Sequence, residues 1–164
     1  VILDEEVFAV VLAIITVASV FAAAQILRQE VTEPFTALGL LNSQCRIGDY
    51  PRRVVPGQPV DLCVFVGNYE GKPIYYKVVF KVGTNQTIPS NSSPSPDPPL
   101  KAWRGVLAHG ENATFKVSVV VPPSLNSSRV ALIFELWVYD TSTGRWRYTG
   151  RWTHLYVDVV KPGV

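Results

Sequence analysis

The chain has 164 residues, enough for one ordinary domain and an appendage, and nearly half of them are hydrophobic. Fifteen Lys and Arg against 13 Asp and Glu leave a formal charge of +2. No basic stripe or patch accompanies that small excess, which rules against a nucleic-acid partner.

The sequence opens on Val1 and contains no methionine, so removal of an upstream leader is expected; a trimmed chain would open in the same way. Asp4, Glu5 and Glu6 then precede an uncharged apolar run from Val7 to Leu27. At helical rise that run spans about 30 Å, enough to cross a bilayer core. Being apolar on every face, it predicts a helix that lipid or other helices must surround. Arg28-Gln29-Glu30 end the run and Pro34 forbids its continuation. The chain therefore divides into residues 1–33, a hydrophobic helix, and 34–164, an exposed domain. No Lys or Arg precedes the run, so the basic flank that fixes membrane topology would have to come from a leader. Small residues recur four apart, Ala9 with Ala13, Ala18 with Ala22, and Ser19 with Ala23. This spacing lets helices approach closely, although single-pass anchors carry small residues too.

These N-terminal features resemble mature type IV pilins and archaeal flagellins. In that group a basic leader is cut just before a hydrophobic helix, and the helices pack into a filament core. Glu5 falls where bacterial pilins carry an acidic residue that pairs with a neighbour's N-terminal amine. Asp4 and Glu6 flank it here, and archaeal filaments often lack such a residue.

After Pro34 the pattern changes to alternation, which predicts strands at Phe35–Asn42, Pro59–Asn68, Ile74–Val82, Trp103–Ala108, Ala113–Val121, Arg129–Tyr139 and Trp146–Val159. Turn chemistry separates them, for example Val55-Pro56-Gly57, Glu70-Gly71-Lys72-Pro73 and His109-Gly110-Glu111-Asn112. Seven short strands with no second helical pattern predict a mainly β domain, an immunoglobulin-like sandwich. Phe115, Val117 and Val119 are expected to face its core.

Cys45 and Cys63 lie 18 positions apart with no histidine nearby, which is not a zinc site. In an oxidising exterior they can form a disulfide worth about 3 kcal/mol; a buried free thiol at Cys63 is the alternative. Ile88–Pro99 is rich in Pro and Ser, reading as a solvated loop or an arm that touches a neighbouring subunit. Four sequons begin at Asn85, Asn91, Asn112 and Asn126, all near predicted turns, and at least two are expected to carry glycan. Trp137, Tyr139, Trp146, Tyr148, Trp152 and Tyr156 gather in the last third of the chain. With Arg145, Arg147 and Arg151 they suit a carbohydrate platform or a subunit contact, while their alternation favours cross-strand packing on one sheet face.

Between about 30 and 82 a second resemblance appears. Phe35-Thr36-Ala37-Leu38-Gly39, Tyr50-Pro51, Gly57-Gln58-Pro59-Val60 and Asn68-Tyr69-Glu70 are followed by a Tyr-containing strand at Tyr75-Tyr76. This series resembles the archaeal domain of unknown function sixteen-sixteen of predicted membrane proteins. The resemblance implies a membrane-proximal β domain outside the cell and carries no chemistry with it. Where that family has a histidine inside its Asn-x-Glu, this chain has Tyr69.

Only His109 and His154 are available for acid–base work, and no nucleophile elbow, phosphate loop or metal-ligand spacing accompanies them. No enzymatic activity, metal or cofactor is expected. The residues favour a structural reading: identical subunits in a helical homopolymer at the cell surface, membrane-inserted before assembly, with surface glycans or other cells as further partners. The alternative is a single-pass anchored ectodomain acting as a binding module.

Overall fold

The computed structural model describes residues 4–27 and 33–161. It divides into two compact units, Val1–Glu33 and Pro34–Val164. In the first, Glu5–Ile26 forms helix α1, with Asp4 at the N-cap and Leu27 N–H bonded to Ala23 O at its end. Glu5 and Glu6 lie in the first turn, where negative charge suits the helix dipole. The expected stop at residues 28–30 lies outside the described residues.

The second unit is an immunoglobulin-like β-sandwich of eight strands: β1 (Phe35–Leu41), β2 (Arg53–Val54), β3 (Pro59–Tyr69), β4 (Ile74–Gly83), β5 (Lys101–Leu107), β6 (Asn112–Val120), β7 (Arg129–Asp140) and β8 (Arg145–Val159). One sheet runs β1-β3-β6 and the other β2-β8-β7-β4-β5. The seven expected strands are all present to within two residues. β2 is additional, a two-residue parallel pairing with the end of β8, too short to show any alternation.

The core lies between the sheets and is filled by alternate residues of both. Leu62, Val64 and Val66 of β3, with Val117 and Val119 of β6, meet Tyr76, Val78 and Phe80 of β4 and Leu132, Phe134 and Leu136 of β7. Phe115 packs at the margin of this core. Turn-forming side chains fix the ends of the strands. Asn68 is wholly buried, donates to the carbonyls of Lys72 and Leu107 and accepts the Glu70 N–H, so it welds the β3–β4 turn to the end of β5. Asn42 does the same for the turn after β1, accepting the N–H groups of Gln44 and Arg46 and donating to Gly48 O. Tyr50 donates to Leu40 O at 2.7 Å.

Cys45 and Cys63 are joined in a disulfide, with Cα atoms 5.1 Å apart. Cys63 occupies an outward-facing position of β3, and the bridge draws the turn after β1 over it, leaving Cys63 fully buried.

The Pro/Ser-rich segment departs from the expectation of a solvated loop. It forms no strand, yet it folds back as a strap over the outer face of the five-stranded sheet. Its own Pro89 and Ser95 are buried, and so are Val79, Lys81, Ile133 and Glu135 of β4 and β7, all on the side of the sheet away from the core. The physical reason is a buried ion pair. Lys81 Nζ lies 2.8 Å from Glu135 Oε1 and donates to Ser95 O, while Ser95 N–H donates to Glu135 Oε2. Tyr148 Oη donates to Ser90 O, and Gly150, at φ +79°, allows the backbone of Asn91 to approach where a Cβ would clash. Gly150 sits in a bulge where two extra residues of β8 stand opposite Leu136, and Thr149 Oγ1 donates to Leu136 O across it.

Candidate functional site

Two surfaces carry large side chains outside the core between the sheets. The first is α1 itself. Every described helical residue is exposed, although all but the first-turn acids and a few polar side chains are apolar. Phe8, Ile14, Val17, Val20 and Phe21 are each more than 60% exposed, a surface that water tolerates poorly. The hydroxyls inside the run bond to the helix itself: Thr16 Oγ1 donates to Leu12 O and Ser19 Oγ to Ile15 O. That leaves no side-chain hydroxyl asking for water, which suits an apolar surround. Ala13 and Ala18, between Ile14, Val17 and Phe21, leave a shallow apolar groove along one side. The helix is long and apolar enough to cross a membrane.

The second surface is the outer face of the five-stranded sheet. Antiparallel pairing sets Tyr139 opposite Trp146 and Trp137 opposite Tyr148. Their ring centroids lie 5.4 Å apart in both pairs, within the range for favourable aromatic contact. The bulge in β8 inserts an even number of residues, so Trp152, His154 and Tyr156 remain on the same face as Trp146 and Tyr148. All six aromatics gathered from the sequence thus share one side of the sheet, as cross-strand packing requires. Trp146 reaches over β7 to Tyr75 on β4, 4.9 Å between centroids.

The cations over these rings differ from those expected. Arg145 and Arg147 alternate to the opposite side of β8, and Arg151 lies in the bulge. Lys77 takes their place, its Nζ 4.7 Å from the Trp146 centroid and 5.5 Å from that of Trp137, with Arg104 at 5.8 Å from Trp146. Arg129 lies over Tyr156 at 4.9 Å. Burial, then Arg104 and Lys81, push the Lys77 amine below its ordinary pKa. Burial, and after it the charge of Glu135, push the Tyr148 phenol up to about 12, so it stays a donor to the strap. Tyr75, Lys77 and Arg104 escaped sequence reasoning because they stand 71, 69 and 42 positions before Trp146, and only the register of β4 and β5 brings them to it. A cavity of about 350 Å³ adjoins the cluster, lined among others by Glu70, Tyr75, Tyr139, Asp140 and Arg147. The Asp140 carboxyl is held below the usual range by the hydroxyl and N–H of Ser142.

The remaining predicted residues fall as follows. Asn85, Asn91, Asn112 and Asn126 are all exposed. Asn112 begins β6, Asn85 and Asn126 sit in loops flanking β4 and β7, and Asn91 lies in the strap. His109 Nδ1 accepts the Gly71 N–H at 2.9 Å, tying two turns together. His154 stacks on Trp152 and meets Tyr156 edge to face.

No protein-family model matches the chain. No curated protein matches it in sequence. Among solved structures it is similar to the CARDB domain of a Pyrococcus furiosus protein, determined in complex with di-metal ions, at 13% identity and a TM-score of 0.47, covering 81% of this chain and 94% of that one. It is also similar to the sporulation control protein of Bacillus subtilis, at 14% identity and a TM-score of 0.41, covering 79% of this chain and 50% of that one. A β-glucosidase from Listeria innocua aligns at 11% identity and a TM-score of 0.44, over 80% of this chain and 16% of its own length. Likenesses of this order say nothing of chemistry, because one sandwich architecture serves unrelated functions.

Proposed function

We propose that the chain is a structural subunit of a type IV pilus-like extracellular filament, with helices packed in the core and glycosylated sandwiches outside. The reading rests on one observation: α1 is apolar around its whole circumference and none of its residues is buried. Such a helix is stable only in apolar company. Leaving the bilayer for a bundle of identical helices keeps that company, at about 25 cal/mol for each Å² kept from water. Ala9, Ala13, Ala18, Ser19, Ala22 and Ala23 supply the small positions for close approach. A head-to-tail contact repeated without closure gives a helical filament. The function is adhesion or surface attachment, without catalysis.

The competing reading is a single-pass anchored binding module, favoured by the length of α1, 22 residues, which matches a bilayer core. Electron microscopy of material sheared from cells, with mass spectrometry of its subunit, decides between them. The filament reading expects fibres containing this chain. A protein recovered solely as a monomer in detergent extracts would sink it.

A further inference from the structure

The outer face of the five-stranded sheet holds a cluster with no structural need for its charge. Trp146 is laid across β7, in contact with Tyr75 and Tyr139, and Lys77 sits between the rings of Trp146 and Trp137. Arg104 completes the group from β5. Among the described residues the one ion pair is Lys81–Glu135, so Lys77 and Arg104 have no carboxylate within ion-pair distance. Two cations held against aromatic faces and left without a counter-charge complement an anion that also offers an apolar surface. Tyr75 and Tyr139 also line a cavity at the end of the sheet, where acceptors on Glu70 and Asp140 mix with donors on Lys72 and on Arg147, which reaches it from the other side of β8, a lining that suits a polyol.

We propose that this face is a binding site for an acidic saccharide, a uronate-containing glycan. The C–H face of one pyranose stacks on Tyr75, with its rim against Trp146, which is tilted 52° to that ring; Lys77 and Arg104 take its carboxylate, and the adjoining cavity receives hydroxyls of the next sugar. Tyr75 is 40% exposed, so ring surface is open to a ligand. The lowered pKa of Lys77 agrees with a partly desolvated amine that a carboxylate would stabilise in its charged form. The site stands independently of how α1 is packed.

The test is calorimetric titration of the full chain in detergent with oligogalacturonate, and with the same oligomer fully methyl-esterified. Binding to the acid form is expected, with the ester about tenfold weaker or more, since it lacks the charge-assisted contacts. Lys77→Gln with Arg104→Gln should bring the acid down to the affinity of the ester, while the variant still unfolds cooperatively, a little less stable for the cation–π contacts it loses. Trp146→Ala should weaken both forms by about tenfold, the worth of one aromatic stacking surface. If that variant unfolds, the double Gln variant decides alone. Equal affinity for acid and ester, no binding of either, or equally tight binding of poly-glutamate would each overturn the proposal. So would self-association of the chain that Trp146→Phe abolishes, which would assign the face to a second copy.

Discussion

Glu135 is a charged residue held by several partners at once. It is wholly buried, yet it sits on the side of β7 away from the core and serves Lys81, the Ser95 N–H and the Trp137 indole together. Taking away one partner leaves a buried charge uncompensated, so Lys81→Met should cost about 3–5 kcal/mol in denaturant unfolding. Adding Glu135→Leu to Lys81→Met should recover part of that loss, because the desolvation of the pair goes with it. Recovery will be incomplete, since the Ser95 N–H then has no acceptor. His154 gives a pH signature. Burial between Trp152 and Tyr156 lowers its pKa below the ordinary 6.5. The unfolded chain therefore binds the proton more readily than the folded one. Stability from this group is complete above pH 6.5 and is lost as pH falls through the lower folded value. Melting temperature should drop on acidification in that window, and His154→Gln should flatten the drop.

At the scale of elements, the Cys45–Cys63 bridge closes a loop across 18 positions. Replacing both with Ala should lower unfolding free energy by about 3 kcal/mol, read by urea denaturation. The strands were legible because their cores alternate plainly, as in Phe115, Val117 and Val119 of β6. α1 was legible from the absence of any polar face. The strap was not, and the reason is local. Its prolines and serines carry no periodicity, and nothing in Ile88–Pro99 alone says that it packs. The signal lay instead in the strands it covers. Val130-Ala131-Leu132-Ile133-Phe134 on β7 and Val78-Val79-Phe80 on β4 are continuous apolar runs, the mark of a sheet covered on both faces. A lone Glu135 within such a run, and Lys81 after the other, pointed to a buried pair. The aromatic cluster was half legible: alternation placed the six rings on one face, but Lys77 and Arg104 depend on a pairing register that sequence alone did not supply.

For the whole molecule, two units make separate demands, an apolar helix that needs partners and a sandwich that encloses its own core. Widening the small positions separates these demands. Ala18→Leu with Ala22→Leu keeps the helix apolar but removes close approach. Filaments should be lost or sparse by electron microscopy, while the melting of the sandwich stays within about 0.5 kcal/mol of the parent, as for surface changes away from a core. Normal filaments from that variant would contradict packing through these faces. The four exposed asparagines stand at the start of β6, in the loops beside β4 and β7, and in the strap, so glycan at any of them would coat the sandwich without entering its core.

The disulfide has a mechanical corollary. Load passed along the chain from α1 enters the sandwich at β1, which pairs with β3 alone in its sheet. Pulled at Phe35, that strand unzips from the Tyr69 end towards Leu41 and Cys63. A covalent stop at Cys45 then ends the peeling after about ten residues, roughly 35 Å of slack. Beyond it the tension bears directly on β3 in the middle of the three-stranded sheet, and reductant in a force-extension trace should release a longer step.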